Sequence, residues 1–264
     1  MENDDQPVGK ILSRREALKL LGIAGAAFLA VRASPEGTGT LIPTTRSASS
    51  STLNCIVRPE LSIGPYFVDD QLNRSDIRFD PLEGNVSKGT PLKLIINVSN
   101  ITNNSCTPLK GAQVDVWHCD AMGIYSGVSE RVFNTIGQKF LRGYQITDAK
   151  GGVQFQTIYP GWYSGRTVHI HFMIRTKAAN RQGYEFTSQL FFRDAITDQV
   201  HSKEPYALKG KRNTRNIDDH IFKNGGNQLL LNVKGDGATG YIASINIGLD
   251  LADTEVGKPD RSHK

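Results

Sequence analysis

Four side chains that could bind a metal or stabilise charge lie close together between residues 161 and 171: Tyr163, Arg166, His169 and His171. Polar and apolar residues alternate through this region, and side chains two apart on a β-strand point to the same face. The two imidazoles would therefore reach one point, which suits a transition metal. Tyr163 would bind as a phenolate, a hard anionic oxygen that favours ferric iron. The segment predicts a metalloenzyme.

The segments that must position these side chains have the pattern of β-strands. Short runs with a period of two residues recur from about residue 55 onward, and Gly-containing breaks separate them. No segment after Leu29 has a long apolar period of 3.6 residues. We therefore expect an all-β fold, a β-sandwich of mostly antiparallel strands with long active-site loops and no helices between the strands. The predicted strands cover residues 92–98, 113–117, 153–158, 169–174, 188–192, 229–233 and 242–249.

Each of these residues, taken alone, also has other interpretations. A His-x-His pair on a strand could equally be a surface pair or a zinc pair. A ferrous site with two histidines and one carboxylate would have an acidic residue where His171 stands. The tyrosine could be a turn aromatic, and the arginine could be a surface cation. A three-histidine zinc site would need a third ligand, for which the candidates are His118, His201 and His220.

The two ends of the chain differ in composition from its middle. Arg14 and Arg15 precede an apolar run over residues 20–31, so residues 1–33 have the pattern of a twin-arginine signal peptide. About a dozen apolar residues are too few to span a bilayer. We expect export to the periplasm or the cell exterior without a stable membrane span. Residues 34–53 resemble a disordered Ser/Thr-rich linker, residues 54–252 one domain, and residues 253–264 a polar tail.

The charge distribution argues against a nucleic-acid partner. The net charge of +5 and the isoelectric point near 9.1 arise partly in the first residues. The rest of the chain has no stripe of Lys and Arg with interleaved aromatic residues, so nucleic-acid binding is not expected.

Three cysteines bear on the compartment and on the fold. In an oxidising compartment, one disulfide and one free thiol is the simplest partition. Because Cys119 lies at the end of a predicted strand, we expect Cys55 to pair with Cys106. None of the three has the CxxC spacing of a zinc or redox site.

A second segment also presents a tyrosine just past a strand, since a turn at Gly123 precedes Tyr125. Together the motifs resemble, in order, those of the intradiol ring-cleavage dioxygenases, non-haem ferric enzymes that open catechols between the two hydroxyls. The resemblance covers residues 55–249. Catechol 1,2- and protocatechuate 3,4-dioxygenases are related members of the same family. The matching features are Gly64, Pro65 and Tyr66 of a substrate-lining loop, Gly-x-Tyr at 123–125, Pro-Gly-x-Tyr at 160–163, Arg-x-x-His-x-His at 166–171, and Gln189.

The resemblance implies an Fe(3+) cofactor held by four ligands, which are Tyr125, Tyr163, His169 and His171. It also implies that Tyr163, Arg166 and Gln189 are catalytic, and that Gly64, Pro65, Tyr66 and Arg166 bind substrate. The expected partners are a small aromatic diol and O2, and the expected products are diacids of the cis,cis-muconate type. The expected assembly is a monomer or a homodimer. An exported metal-binding β-sandwich without dioxygenase activity remains the alternative.

The chain departs from the family pattern in one loop. Only Ser164 and Gly165 separate Tyr163 from Arg166, whereas catechol and protocatechuate dioxygenases have a longer loop there. The short form resembles the exported, single-domain branch of the family, and it predicts a more open metal site.

Overall fold

Two five-stranded sheets and a two-stranded hairpin make up the β-structure of the residues that the computed structural model describes, which are 56–102, 105–176, 184–252 and 258–259. Together they form the predicted, mostly antiparallel β-sandwich. The strands are β1 (Pro91–Thr102), β2 (Ser105–Pro108), β3 (Gln113–Trp117), β4 (Ser129–Glu130), β5 (Phe133–Asn134), β6 (Arg142–Ile146), β7 (Gly152–Ile158), β8 (His169–Arg175), β9 (Tyr184–Phe191), β10 (Asn232–Asp236), β11 (Gly240–Leu249) and β12 (Lys258–Pro259).

The first sheet has the order β10-β11-β1-β2, with β7 also paired to β1. Strands β1 and β11 pair in parallel, and the other strand pairs of this sheet are antiparallel. Buried and exposed residues alternate along β1, β7 and β11, as expected when one face packs on the core and the other meets water.

The second sheet has the order β12-β9-β8-β3-β6, and it carries the two histidines on its central strand. Strand β8 is buried on both faces. Ile170, Phe172 and Ile174 pack in the core between the sheets, whereas Met173 packs with Trp117 and Tyr125 in a separate cluster. Because alternate side chains share a face, His169 and His171 lie on the side of Met173, under the loops that cover the sheet.

The expectation that helices are absent was wrong in detail. Helix α1 (Asp194–His201) follows β9, and the short helix α2 (His220–Lys223) comes later; 3₁₀ turns cover Tyr206–Lys209 and Gly226–Leu229. Helix α1 buries only Thr197 and Val200, so it has no stripe of large apolar residues that a sequence pattern could reveal.

The strand predicted over residues 229–233 was also misplaced, because β10 begins at Asn232. Leu229 and Leu231 are buried, but the backbone before them turns through Gly225, whose φ is +121°. Leu229 and Leu231 alternate with less buried residues because they pack in the core, and this alternation resembles a strand although the run begins in a 3₁₀ turn.

Several predictions concern residues outside the described ranges. The signal peptide and the linker lie there, as does most of the C-terminal tail, of which Lys258–Pro259 pairs with β9. Cys106 is disulfide-bonded and Cys119 is a buried free thiol; the predicted partner Cys55 lies outside the described residues. In the part of the chain that is described, no helix is long and apolar enough to cross a membrane.

Candidate metal centre

All four predicted metal ligands converge on one point. Nε2 of His169 lies 3.0 Å from Nε2 of His171, 3.2 Å from Oη of Tyr163 and 3.5 Å from Oη of Tyr125. The two histidines and Tyr125 are almost completely buried, whereas Tyr163 is partly exposed. The resemblance in the sequence therefore selected four side chains that the fold brings together from β8 and two separate loops.

The two tyrosine loops are held against each other through their backbones. The carboxylate of Asp120 accepts hydrogen bonds from two backbone amides of the turn that leads to Tyr125, and Gly123 has the left-handed φ of +79° that this turn requires. The amide of Gly161, two residues before Tyr163, donates to the carbonyl of Asp120 at 3.0 Å. A Cβ on Gly161 would lie 2.5 Å from that same carbonyl oxygen. Close backbone contact therefore sets the separation of the two phenols.

The hydrogen bonds of His169 leave a lone pair directed at the centre. Its Nδ1 lies 2.7 Å from the carbonyl of Thr167, so Nδ1–H donates there and Nε2 remains available as a ligand. Burial lowers the pKa of both His169 and His171 well below the usual value, so both rings are neutral. Nδ1 of His171 is buried and has no hydrogen-bond partner in the described residues. Two neutral imidazoles are the form in which histidine binds metals.

Burial acts on the phenols in the opposite sense. It raises the pKa of Tyr125 and of Tyr163 above the ordinary value, while the nearby guanidinium of Arg166 lowers both and offsets part of the effect. Without a cation the two phenols therefore keep their protons. A hard, highly charged cation at the centre would favour the phenolate forms. Its positive charge would replace the stabilisation that a phenolate loses when burial separates it from water.

The spacing of the donors fits a transition metal. Bonds from imidazole to such a metal are about 2.1 Å long, so two donors at a right angle lie about 3.0 Å apart. The two Nε2 atoms are 3.0 Å apart. Two nitrogen and two anionic oxygen donors suit a ferric ion better than a thiolate-seeking metal.

The described residues do not assemble the alternative three-histidine zinc site. Both ring nitrogens of His118 are engaged elsewhere, with the carbonyl of Cys119 at 2.8 Å and the hydroxyl of Thr157 at 2.7 Å. His201 contacts the carbonyl of Pro160. Within the described ranges, no group of three or more His, Cys, Asp and Glu side chains could hold a metal ion.

The predicted catalytic pair lies beside the centre in one buried network. Arg166 donates to Oε1 of Gln189 at 2.5 Å and, through Nε, to Oδ2 of Asp219 at 2.9 Å. The amide of Gln189 donates in turn to the carbonyl of Ser62 at 2.8 Å. Gln189 stands opposite His171 in the pairing of β8 with β9, so the two side chains share a face of the sheet. Arg166 is therefore not the surface cation that its sequence context also allowed.

The predicted substrate loop covers the same centre. Gly64 has a φ of +69°, and a Cβ there would lie 2.9 Å from Cε1 of His171. Tyr66 stacks on Tyr125 with ring centroids 4.4 Å apart, and its hydroxyl donates to Glu130 at 3.0 Å. Pro65, between them, is exposed. Only glycine allows the loop to lie this close to a ligand ring.

Sequence reasoning missed three residues that support the site. Trp117 stacks on His171 with centroids 5.0 Å apart and planes 6° from parallel. Lys209 donates to the carbonyl of Trp162 at 2.6 Å and to that of Met122, which joins the two tyrosine loops. Asp219 binds Arg166. The strand pattern could have suggested Trp117, which pairs with His171 in the β3–β8 register; no local signal marks the other two.

Comparison with known proteins identifies similar sequences and structures. A family model described as "Dioxygenase" matches residues 63–204. An intradiol ring-cleavage dioxygenase from Tetranychus urticae is 32% identical, with a TM-score of 0.63 over 74% of this chain and 95% of that one. The dioxygenase domain of a carbohydrate-binding fusion protein from Streptomyces sp. SirexAA-E is 29% identical, with a TM-score of 0.51 over 74% of this chain and 99% of that one.

Curated relatives match over shorter regions. A catechol 1,2-dioxygenase of Candida albicans is 28% identical over 56% of this chain and 50% of its own length. A chlorocatechol 1,2-dioxygenase of Pseudomonas putida is 29% identical over 32% of this chain. The chain spans half or less of the length of these two proteins, since the second match covers 36% of that relative. The family model spans all four predicted ligands, and the chain belongs to the intradiol ring-cleavage dioxygenase family.

Proposed function

We propose that this protein is an Fe(III)-dependent intradiol dioxygenase that cleaves catechol-type diols with O2 to diacids of the cis,cis-muconate type. The observation that carries the proposal is the convergence of two phenols and the imidazole of His171 within 3.0–3.5 Å of Nε2 of His169. Proteins described as an intradiol ring-cleavage dioxygenase and a catechol 1,2-dioxygenase are among its relatives. Bound at this centre, ferric iron would supply Lewis acidity that lowers the pKa of the diol hydroxyls.

The two tyrosines differ in exposure, which supports different roles for them. Tyr125 is 1% exposed and lies beneath the ring of Tyr66, so an incoming diol cannot reach it. Tyr163 is partly exposed and stands at the open side, next to the exposed Ser164 and Gly165. As a phenolate, Tyr163 can therefore accept a hydroxyl proton of the diol at its Oη, while Tyr125 remains a permanent ligand.

Arg166 supplies a fixed positive charge beside the reacting ring. Its guanidinium is buried, and it is close enough to the four donors to shift the pKa values of both tyrosines and both histidines. The bond to Gln189 keeps it from turning towards water. A preorganised cation in a buried site stabilises the negative charge that develops on the ring as it becomes reactive towards O2.

The cellular setting forms part of the same proposal. The twin-arginine pattern of residues 1–33 supports export to the periplasm or the cell exterior, and that route carries proteins that have folded with their metal. A disulfide at Cys106 is consistent with an oxidising compartment. The expected assembly is a monomer or a homodimer.

Oxygen consumption tests the proposal against a protein that only binds metal. The iron-loaded protein should consume O2 when catechol is added, and Tyr163→Phe should lose nearly all of this activity, because the proton acceptor is removed. Tyr144→Phe makes the same chemical change on β6, away from the centre, and should retain full activity. A wild-type protein that binds iron but leaves O2 untouched would instead be the metal-binding β-sandwich without dioxygenase activity.

A further inference from the structure

The carboxylate of Asp219 is fully buried and has donors on both oxygens. Oδ1 accepts hydrogen bonds from the backbone amides of Ile221 and Phe222 at 2.8 and 2.9 Å. These two bonds cap helix α2. Oδ2 accepts the amide of Thr167 at 2.7 Å and Nε of Arg166 at 2.9 Å. Three backbone amides therefore fix the orientation of the carboxylate before the guanidinium is considered.

The cap on α2 does not explain the hydrogen bonds of the second oxygen, Oδ2. A helix N-terminus needs one acceptor, and Oδ1 already fills that role. Oδ2 points the other way, towards the loop that carries Tyr163 and Arg166. Only Ser164 and Gly165 separate Tyr163 from Arg166 in this loop, and Gly165 has a φ of +86°. A loop this short and exposed cannot fix the side chain of Arg166 by its own packing.

Arg166 is held from two sides by segments far apart in the chain. Gln189 on β9 accepts from Nη2, and Asp219 accepts from Nε. Arg166 and Asp219 are 6% and 0% exposed as side chains. Removal of one partner of such a buried pair leaves an uncompensated charge, which tends to move towards water.

We propose that Asp219 is the positioning residue for Arg166. Its carboxylate fixes the guanidinium charge beside the donor centre, and Asp219 itself touches neither the diol nor the four donors. The claim that this matters for turnover rests on the proposed function, whereas the claim that Asp219 holds Arg166 in place does not. The interaction takes the place of loop structure between Tyr163 and Arg166, where this chain has only two residues.

Asp219→Asn is the informative variant because it alters one oxygen only. Asparagine caps helices as well as aspartate does, so its carbonyl oxygen can keep the bonds to Ile221 and Phe222. Its NH2 group then faces two other donors, Nε of Arg166 and the amide of Thr167, and the bond to Arg166 is lost. Asn213→Ala is the matched control, since Asn213 is exposed and bonds the same loop at Ser164 without contacting Arg166.

Arginine labelling gives a readout that needs neither iron nor turnover. The metal-free protein is treated with phenylglyoxal, and modification of Arg166 is followed by mass spectrometry. Asp219→Asn should raise its rate about tenfold or more, since the guanidinium becomes accessible. In the iron-loaded protein, kcat for catechol should fall about 10- to 100-fold with the visible absorbance retained and KM changed less. Asn213→Ala should stay within about twofold of wild type in both assays.

The outcomes separate the two claims. Equal labelling of Arg166 in wild type and Asp219→Asn would overturn the positioning role, as would unchanged turnover in an active enzyme. A wild type that is inert towards diols, with Arg166 still exposed by Asp219→Asn, would refute the proposed function alone. If Asp219→Asn does not fold, the double variant Arg166→Gln with Asp219→Asn should fold, because it leaves no buried charge; failure of both would contradict the pairing.

Discussion

Substitution of Gly161 by alanine should damage the proposed metal centre through the backbone alone. A Cβ at this position would lie 2.4 Å from the carbonyl oxygen of Ala121 and 2.5 Å from that of Asp120. Ordinary contacts begin at 3.4 Å, so the loop that carries Tyr163 must move about 1 Å from the loop that carries Tyr125. No flexible side chain can absorb this movement, because the obstructing atoms belong to the backbone.

The expected size of the effect follows from that displacement. Overpacking of this kind costs roughly 1–3 kcal/mol of unfolding free energy. For a domain of this size, each kcal/mol lowers Tm by about 2–4 °C. The other three donor atoms lie 3.0–3.5 Å from Nε2 of His169, so a shift of about 1 Å in one phenol removes it from reach of a metal bound to the other three. Iron affinity should therefore fall more than stability does.

The assay compares iron content, visible absorbance and Tm for the two glycine variants Gly161→Ala and Gly152→Ala. Gly152 begins β7, and a Cβ there meets its nearest neighbours at 3.5 Å, so the same chemical change is tolerated. Gly161→Ala should bind little iron and lose the tyrosinate-to-iron colour, while Gly152→Ala should resemble wild type. A Gly161→Ala protein with full iron and unchanged colour would refute the idea that backbone contact sets the spacing of the phenols.

Two further predictions concern residues that support the centre. Lys209→Met removes the ammonium group that joins the tyrosine loops and lies 5.0 Å from the ring of Trp162; we expect a loss of roughly 1–3 kcal/mol in denaturant unfolding, with faster iron loss to a chelator, and a null effect on both would contradict the role. Burial lowers the pKa of His118 to about 4. Because the unfolded state binds this proton more readily, the contribution of His118 to stability is complete above about pH 6.5 and is lost as the pH falls towards 4, by about 3 kcal/mol. His118→Gln should lack this part of the pH dependence of unfolding, and an identical pH profile would show that the pKa of His118 is the same in the folded and unfolded states.

Short-range patterns in the sequence sufficed for six of the strands, β1, β3, β7, β8, β9 and β11, and for placing the two histidines on one face. The alternation in β8 places His169 and His171 on one face, and two-residue periodicity does not depend on distant contacts. Tyr125 and Tyr163 were identified through motifs that contain their turn glycines. The structure explains both glycines. Gly161 lies too close to the other tyrosine loop for a side chain, and Gly123 has a positive φ.

Long-range partners could not be predicted in this way. Asp219 lies 53 residues after Arg166, and Lys209 lies 47 residues after Trp162, so no local spacing connects them. Helix α1 was missed because it buries only Thr197 and Val200, so no apolar stripe marks it, and its ion pairs with Arg212 join Asp194 and Asp198 to a residue beyond the helix. In each case the sequence contains the residue types, but only the fold brings the partners together.

Isotope incorporation during turnover of catechol tests the central claim most directly. The iron-loaded wild-type protein is supplied with catechol and labelled O2, and the product is identified by mass spectrometry. If two phenols and two imidazoles hold ferric iron beside Arg166, as proposed, the product should be a cis,cis-muconate-type diacid that contains both atoms of the labelled O2. Unchanged catechol, a quinone without the label, or a product opened outside the two hydroxyls would contradict the account.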